Sequence, residues 1–274
     1  MNADHNYTEG RYKRDCQDYA LSGTIANGAY AFVTAGNSSL PQSDFGARAL
    51  ALSAKRTLML GGHQMKYDLF GKITIKNLEH IGDNIPLDPH SLDACLLTAW
   101  VKNNEFVIHI FGDGIWFHKT PTTLRIVKIS FESGQPAYLS YYLDKLRLKE
   151  YEGRVIGSKH ISDIALYTGP GAGDGPDDAI EIETYVDPFS SISPVSFRGN
   201  ADDGDIIGVC SDGVNSFKTA TGAEIPWQSI VRSFTDYKSV NGTFVRRNHM
   251  FLNYRWIKDS IFHSDDVSVA AISV

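Results

Sequence analysis

The chain has 274 residues, of which 42% are hydrophobic and 21% charged, the composition of an ordinary globular protein. A formal net charge of −6, with no basic run beyond short pairs such as Lys13-Arg14, argues against a nucleic-acid partner. No apolar run approaches the roughly 20 residues that span a bilayer, and Met1–Asp15 has no apolar signal core. A cytoplasmic protein without a membrane partner is therefore expected.

The first predicted elements are a loose N-terminus followed by a hairpin. Met1–Gly10 is polar and is expected to be loose. Tyr19–Ile25 and Ala29–Thr34 are rich in β-branched and aromatic residues and are predicted strands. Asn27-Gly28 between them predicts a tight turn, because both residues tolerate a positive φ.

Two helices are predicted next, as an antiparallel pair covering one sheet. The first begins near Ser43 or Asp44, either of which can cap it, and runs toward Leu60, where Gly61-Gly62 ends it. The second is predicted over Leu87–Lys102. Apolar residues there recur at helical spacing, at Leu92, Cys95, Leu96, Ala99 and Trp100.

The rest of the chain alternates predicted strands with two further helices. Six stretches are predicted to be extended: Phe106–Phe111, Ile115–His118, Leu124–Phe131, Ile161–Tyr167, Ile180–Val186 and Val267–Val274. Tyr138–Glu150 has no clean period. Pro226–Phe234 and Thr243–Ile257 are predicted helices, the second with inward-facing residues Phe244, Phe251, Leu252 and Trp256. Strands at both ends with two helical groups favour an α+β fold, an α/β/β/α four-layer sandwich of two mainly antiparallel sheets flanked by helix pairs.

A glycine-rich stretch separates two of these strands. Thr168–Ala179 contains Asp174, Asp177 and Asp178 but no apolar anchor. No Gly-Lys-Ser/Thr follows its glycines, which argues against a phosphate-binding loop. A flexible surface loop is expected.

Acidic residues recur at the ends of the predicted strands. Ile206–Cys210 is apolar on both faces, predicting a buried strand, and ends in Ser211-Asp212-Gly213. The other strand ends carry Asp18, Asp113 and Asp265-Asp266, while Ala35 stands at the corresponding place after Phe32-Val33-Thr34. Strand ends fix carboxylates firmly, and Mg²⁺ and Mn²⁺ prefer carboxylate and carbonyl oxygens. A divalent cation site is predicted.

The order of these motifs resembles the type 2C metal-dependent Ser/Thr protein phosphatases in their compact bacterial form. The resemblance runs from Lys13 to Val274. It rests on K-x-x-x-Q-D ending at Asp18, on Phe32–Gly36, on S-x-x-P-x-S-D-x-G-A-R over residues 38–48, on Gly112-Asp113-Gly114, on Ser211–Val214 and on Asp265–Val269. Because the motifs span the chain, residues 1–274 are expected to form a single phosphatase-like domain, with residues 1–10 loose.

The resemblance implies a role for each matching residue. In the family, two divalent cations activate a water that attacks the phosphorus of the substrate in line. Asp18, Gly36, Asp113, Asp212 and Asp265 are the implied metal residues, with Mn²⁺ or Mg²⁺ as the cofactor and Asp113 helping to hold a third cation. Lys13 and Asp18 are the implied catalytic residues. Lys13 stands where the family has arginine, so it supplies charge without the bidentate fork.

Ala35 departs from the family pattern, in which an aspartate at this place bridges both metals. A methyl group coordinates nothing, so cation binding is expected to weaken and the attacking water to be misplaced. Two origins fit Ala35: an engineered substitution in an active phosphatase, and natural loss. Asp266 stands where asparagine is commoner and is expected to be a structural cap.

Two functions follow from the resemblance and from Ala35. The first is a Mn- or Mg-dependent enzyme that hydrolyses phosphoserine and phosphothreonine on proteins, impaired as the sequence stands. The alternative is a pseudophosphatase that binds a phosphoprotein or regulatory partner without turnover. A monomer is expected, acting on a phosphorylated protein, such as the substrate of a partner Ser/Thr kinase.

The cysteines and two strand histidines receive no role in this interpretation. Cys16, Cys95 and Cys210 are at no metal-like spacing and are expected to be reduced. His109 and His118 lack Cys or His partners at ligand spacing and are expected to be packed or surface residues.

Overall fold

The strands form two large antiparallel sheets in this computed structural model, which describes residues 1–40, 42–82, 88–168, 181–190 and 195–274. The strands are β1 Asn2–Thr8, β2 Asp18–Ile25, β3 Gly28–Gly36, β4 Ala94–Lys102, β5 Glu105–Phe111, β6 Gly114–Lys119, β7 Thr123–Phe131, β8 Lys159–Thr168, β9 Glu181–Ser190, β10 Val195–Asn200, β11 Ile206–Cys210, β12 Phe217–Thr219, β13 Ile261–His263 and β14 Val267–Ser273. The helices are α1 Ser43–Met59, α2 Tyr67–Gly82, α3 Lys145–Arg154, α4 Trp227–Thr235 and α5 Phe244–Lys258.

All strand pairs in the two large sheets are antiparallel. The seven-stranded sheet has the order β1-β14-β11-β6-β7-β8-β9, and the five-stranded sheet has the order β10-β5-β4-β3-β2. β12 and β13 form a separate two-stranded ribbon. The chain passes from the five-stranded to the seven-stranded sheet between β5 and β6.

Three apolar clusters define the layers. Between the sheets, Val33 and Ile108 of one sheet belong to the same buried cluster as Ile207 of the other. A second cluster joins the five-stranded sheet to α1 and α2, and a third joins the seven-stranded sheet to α4 and α5. Each large apolar side chain buried here contributes roughly 1.5–3 kcal/mol. The predicted α/β/β/α four-layer sandwich is confirmed.

The predicted loose N-terminus is wrong. Residues Asn2–Thr8 form β1, which pairs along its full length with β14 at the edge of the seven-stranded sheet. Its side chains are mostly half-buried rather than fully buried, so polar residues are accommodated and polarity did not indicate disorder here. Within β1, Asp4 is buried and accepts a hydrogen bond from the backbone amide of Arg246.

The predicted helix over Leu87–Lys102 is also wrong. Residues Ala94–Lys102 form β4, a central strand between β3 and β5 that is buried on both faces. A strand buried on both faces is a nearly continuous apolar run, in which residues at helical spacing occur by chance. The second helix of the pair is α2 instead, and α1 ends where Leu60 and the left-handed Gly61 follow it, as predicted.

Two further expectations differ in detail or fall outside the described residues. Phe251 of α5 was predicted to face inward but is 44% exposed, whereas Phe244, Leu252 and Trp256 are buried as predicted. The glycine-rich stretch predicted as a surface loop lies, after Thr168, outside the described residues. Among the described helices, none is long and apolar enough to cross a membrane.

Candidate metal centre

Three strand ends meet at one edge of the seven-stranded sheet. Ile115 of β6 pairs with Cys210 of β11, and Cys210 pairs with Val269 of β14. Because these strands are antiparallel, the end of β11 lies beside the beginnings of β6 and β14. Asp212 follows β11 directly, and Asp265 precedes β14 by two residues. The sheet register therefore brings both acids to this edge.

Gly213 lets the backbone at these two strand ends approach closely. A Cβ atom at Gly213 would overlap the carbonyl group of Asp266, so no larger residue fits without a shift. The Asp-Gly step after β11 is thus a packing requirement as well as a turn. It holds Asp212 against the segment that carries Asp265.

The five-stranded sheet contributes the facing edge of the site. In its register Asp18 of β2 pairs with Ala35 of β3, and Ala35 pairs with Cys95 of β4. Cys95 and, at its margin, Ala35 belong to the apolar cluster between the two sheets. The Ala35 side chain therefore occupies the row between Asp18 and Cys95, at the mouth of the inter-sheet core.

Asp113 lies in the turn that joins the two sheets. Its neighbours Gly112 and Gly114 have φ values of 98° and 141°, which favour glycine and allow the reversal from β5 into β6. The Cys95 thiol donates a hydrogen bond to Asp113 Oδ1 over 2.7 Å. Burial and the nearby Asp113 charge raise the pKa of Cys95 well above its ordinary value, so the thiol keeps its proton.

Asp18, Asp113, Asp212 and Asp265, called the acid cluster below, act on one another electrostatically. Burial raises the pKa of Asp212 well above its ordinary value, and the charges of the other three acids raise it further. None of the described basic side chains forms a salt bridge with Asp212. Asp212 therefore keeps its proton more readily than an ordinary aspartate, because it is buried among like charges.

Asp18 is the most buried acid of the cluster, with 5% exposure. Burial raises the pKa of Asp18 to about 7, although hydrogen bonds from Ser268 and Ser211 oppose the shift. The Ser268 hydroxyl donates to Asp18 Oδ2 over 2.7 Å. This bond ties β2 of one sheet to β14 of the other, so Asp18 also has a structural role.

Lys13 lies at the rim of the acid cluster. Its ammonium group is 2.8 Å from Asp265 Oδ1 and donates to Gln17 Oε1 over 3.3 Å. Asp266 is structural, as expected for a capping residue: its carboxylate accepts from the backbone amides of Gly10 and Gln17, at 2.8 and 2.7 Å.

Gly36, the remaining implied metal residue, follows Ala35 at the end of β3. Its amide donates to the Gln17 carbonyl over 3.0 Å, and a Cβ atom there would meet the carbonyl oxygens of Ser43 and Gln17. The glycine is therefore required by close backbone packing beside the acid cluster.

The acid cluster has the type of ligand atoms that a hard divalent cation prefers, but its side chains are not arranged around a common cation position. Carboxylate oxygens are the ligands that Mg²⁺ and Mn²⁺ prefer. Within the described residues, however, no three His, Cys, Asp or Glu side chains are placed to hold a metal ion between them. Three of the acids instead interact with other side chains of the protein. Asp18 accepts a hydrogen bond from Ser268, Asp113 accepts one from Cys95, and Asp265 forms a salt bridge with Lys13.

The histidines of β5 and β6 lie outside the acid cluster. His109 is fully buried, and its Nδ1 lies 2.8 Å from the Ser196 hydroxyl. His118 Nε2 is 2.8 Å from Asp205 Oδ2. Both are packed residues, as expected.

Three residues that contact the acid cluster were not anticipated from the sequence, namely Cys95, Ser211 and Ser268. Cys95 was assigned to a helix, and its contact with Asp113 arises only from the β4–β5 pairing. Ser211 directly precedes Asp212 in the S-D-G segment, and Ser268 follows Asp265 by three residues in the D-D-V-S segment. That proximity was the signal available in the sequence.

Comparison with known proteins identifies the fold. No protein-family model and no curated protein matches the chain. Among solved structures, the PP2C phosphatase domain of the cell fate determinant SpoIIE from Bacillus subtilis, solved with a fragment of its regulatory domain, superposes with a TM-score of 0.54. That match has 10% identity and covers 100% of this chain and 64% of that one. A chain from work on the bacterial stressosome, described as a modular system adapted to control secondary messenger signalling, gives a TM-score of 0.51 at 11% identity, covering 98% and 97%.

Proposed function

We propose that this protein is a metal-dependent phosphatase of phosphoserine and phosphothreonine in proteins, with its cation site weakened at Ala35. The observation that carries the proposal is the acid cluster itself: four aspartates from four separate chain segments gather where the two sheets end. Among the described residues one cation, Lys13, pairs with this group of carboxylates, which costs stability unless further positive charge neutralises it. The fold that the chain shares with a PP2C phosphatase domain supports the same proposed function.

Different residues of the chain would bind the cation and the phosphate at such a site. Asp18, Asp113, Asp212 and Asp265, with the backbone of Gly36, would hold Mn²⁺ or Mg²⁺. Divalent cations supply charge neutralisation at a phosphoryl group and lower the pKa of water. Lys13 would bind phosphate oxygens after leaving Asp265, as a point charge without the two-pronged grip of arginine.

The missing carboxylate at position 35 weakens the proposed cation site. Ala35 stands in register between Asp18 and Cys95, so a carboxylate at this position would lie beside the acid cluster. Without one, Asp18 and Asp113 are left to hydrogen bonds with Ser268 and Cys95.

A second candidate function is a pseudophosphatase that binds a phosphoprotein without turnover. Ala35 favours it, and so does the ion pair between Lys13 and Asp265, because both leave the acid cluster short of a working ligand set. For both functions we propose one domain over residues 1–274, a phosphorylated protein as partner, a monomeric state and a cytoplasmic location.

Hydrolysis of a phosphothreonine peptide with Mn²⁺ tests the proposal. Ala35→Asp should raise turnover over the unsubstituted Ala35 chain, called wild type below, by roughly 100-fold, the scale of restoring one group that acts in the transition state. Ala35→Asn is the matched control, with the same shape and no charge, and should stay near wild type. If neither Ala35→Asp nor the wild type hydrolyses the peptide but the wild type retains it on beads, the pseudophosphatase is supported instead.

A further inference from the structure

A basic groove lies between α4 and α5, on the outer face of the molecule. Its cavity volume is about 590 Å³, and its lining includes Arg232, Tyr237, Lys238, Arg247, Phe251 and Arg255. None of the four acids of the acid cluster lines it. The segment between the two helices closes one side, so the α4–α5 groove is built from a continuous stretch of chain.

The charge of the α4–α5 groove is opposite to that of the whole chain. Four basic side chains line it, at Arg232, Lys238, Arg247 and Arg255, against one acid, Asp236. The chain as a whole carries −6. Such a local reversal attracts anions and raises their concentration at the groove.

Arg232 is the member of this group that most requires a partner. It is only 7% exposed, and among the described residues its Nε has no hydrogen-bond partner and its guanidinium forms no salt bridge. Its guanidinium carbon lies 5.0 Å from the Tyr167 ring centroid, which orients the group without neutralising it. A buried guanidinium without an anion is costly, and its planar fork matches a carboxylate or phosphate.

The exposed rim of the groove gathers further cations around one aromatic ring. Lys238 Nζ lies 4.8 Å and the Arg255 guanidinium carbon 5.8 Å from the centroid of the Phe251 ring. Phe251 is 44% exposed, and Arg247 donates to the Ser239 carbonyl beside it over 3.3 Å. The ring thereby holds two cations near the cavity that Arg232 also lines.

We propose that the α4–α5 groove binds a phosphate monoester, with Arg232 at its buried end and Lys238, Arg247 and Arg255 at its rim. A dianionic group matches several convergent cations better than a single carboxylate does. The cavity exceeds the size of a free phosphate ion, leaving room against Phe251 for the group that carries the ester. The assignment is independent of the proposed phosphatase activity, since it uses none of the acid cluster.

Calorimetric titration of the full chain in EDTA tests this site without metal at the acid cluster. The probes are inorganic phosphate, phenyl phosphate and a phosphoserine peptide. We expect phenyl phosphate to bind more tightly than inorganic phosphate, and Arg247→Gln to weaken binding roughly tenfold, the scale of one charge-assisted hydrogen bond. Arg232→Lys, which keeps the charge and loses the fork, should weaken binding by a similar factor.

Arg246→Gln is the matched control, because it removes the same charge from the neighbouring exposed position of α5, and Arg246 does not line the groove. Its affinity should stay within twofold of wild type. An equal loss in Arg246→Gln and Arg247→Gln would overturn the proposal, as would no binding of any probe by the wild-type chain. If Arg232→Lys does not fold, Arg255→Gln takes its place with the same expected loss. Tighter binding of the peptide than of phenyl phosphate would identify a protein-borne phosphate as the ligand.

Discussion

Asp212 is the residue of the acid cluster that the described chain stabilises least. Asp18, Asp113 and Asp265 each hold a hydrogen-bond or ion-pair partner, whereas Asp212 has three like charges around it and no salt bridge. A charge kept at such a site lowers the stability of the folded chain. Such an unfavourable charge is expected at the cation site proposed above, because functional sites often give up stability.

Asp212→Asn is therefore expected to stabilise the protein in metal-free buffer. Removing one of four mutually repelling carboxylates should raise the free energy of unfolding on the order of 1 kcal/mol at pH 8, an effect within the usual range of single substitutions. Urea unfolding in EDTA measures it. Asp203→Asn, at an exposed acid outside the cluster, should change stability much less. A destabilised Asp212→Asn protein would mean that Asp212 makes a favourable contact that outweighs the repulsion.

The contact between β1 and α5 depends on a neutral histidine. His249 of α5 is fully buried, with Nδ1 2.8 Å from the Asn6 amide nitrogen and Nε2 2.8 Å from the Thr8 hydroxyl. Because the amide nitrogen can only donate, Nδ1 accepts and Nε2 carries the proton. Burial lowers the pKa of His249 from 6.5 to about 3.

The stability of the fold should consequently fall below pH 6.5 through His249. The unfolded chain takes up a proton at this residue from about pH 6.5 downward, while the folded chain does so only near pH 3. The loss approaches about 1.4 kcal/mol per pH unit within that window. Burial also lowers the pKa of His109 to about 4 and raises the pKa of Asp18 to about 7, so both residues contribute in this window, with Asp18 acting in the opposite direction. The test is thus the difference in unfolding free energy between wild type and His249→Gln from pH 7 to 4.5, which should shrink as the pH falls. Parallel curves would contradict the assignment.

The elements differ in how far the sequence determined them. The end of α1 and the β2–β3 hairpin follow from local signals: Gly61 follows α1, and Asn27 adopts φ 58° in the turn. The turn lies at Ala26-Asn27, one residue before the predicted pair, and α1 begins after Gln42 without the predicted side-chain cap. The strand β4 could not be recognised locally, since burial on both faces removes the alternation that marks a strand. The pairing of β1 with β14 joins the two ends of the chain, so no local pattern announces it.

In the molecule as a whole, the sequence marks the acids of the proposed site but not their arrangement. Asp212 and Asp265 are marked by the strands that precede or follow them. The row of Asp18, Ala35 and Cys95 exists only through the register of β2, β3 and β4, which depends on packing between distant segments. The contacts of Cys95 with Asp113 and of Lys13 with Asp265 likewise follow from the tertiary fold.

We propose that the ends of both sheets form a divalent cation site whose missing ligand is at position 35. Calorimetric titration with Mn²⁺ of the wild-type chain, Ala35→Asp and Ala35→Asp combined with Asp212→Asn tests this site. We predict weak binding by the wild type and binding at least tenfold tighter by Ala35→Asp, since one more carboxylate completes the ligand set. The added Asp212→Asn change should abolish that gain. Equal Mn²⁺ affinity in all three proteins would contradict the claim and place any cation elsewhere.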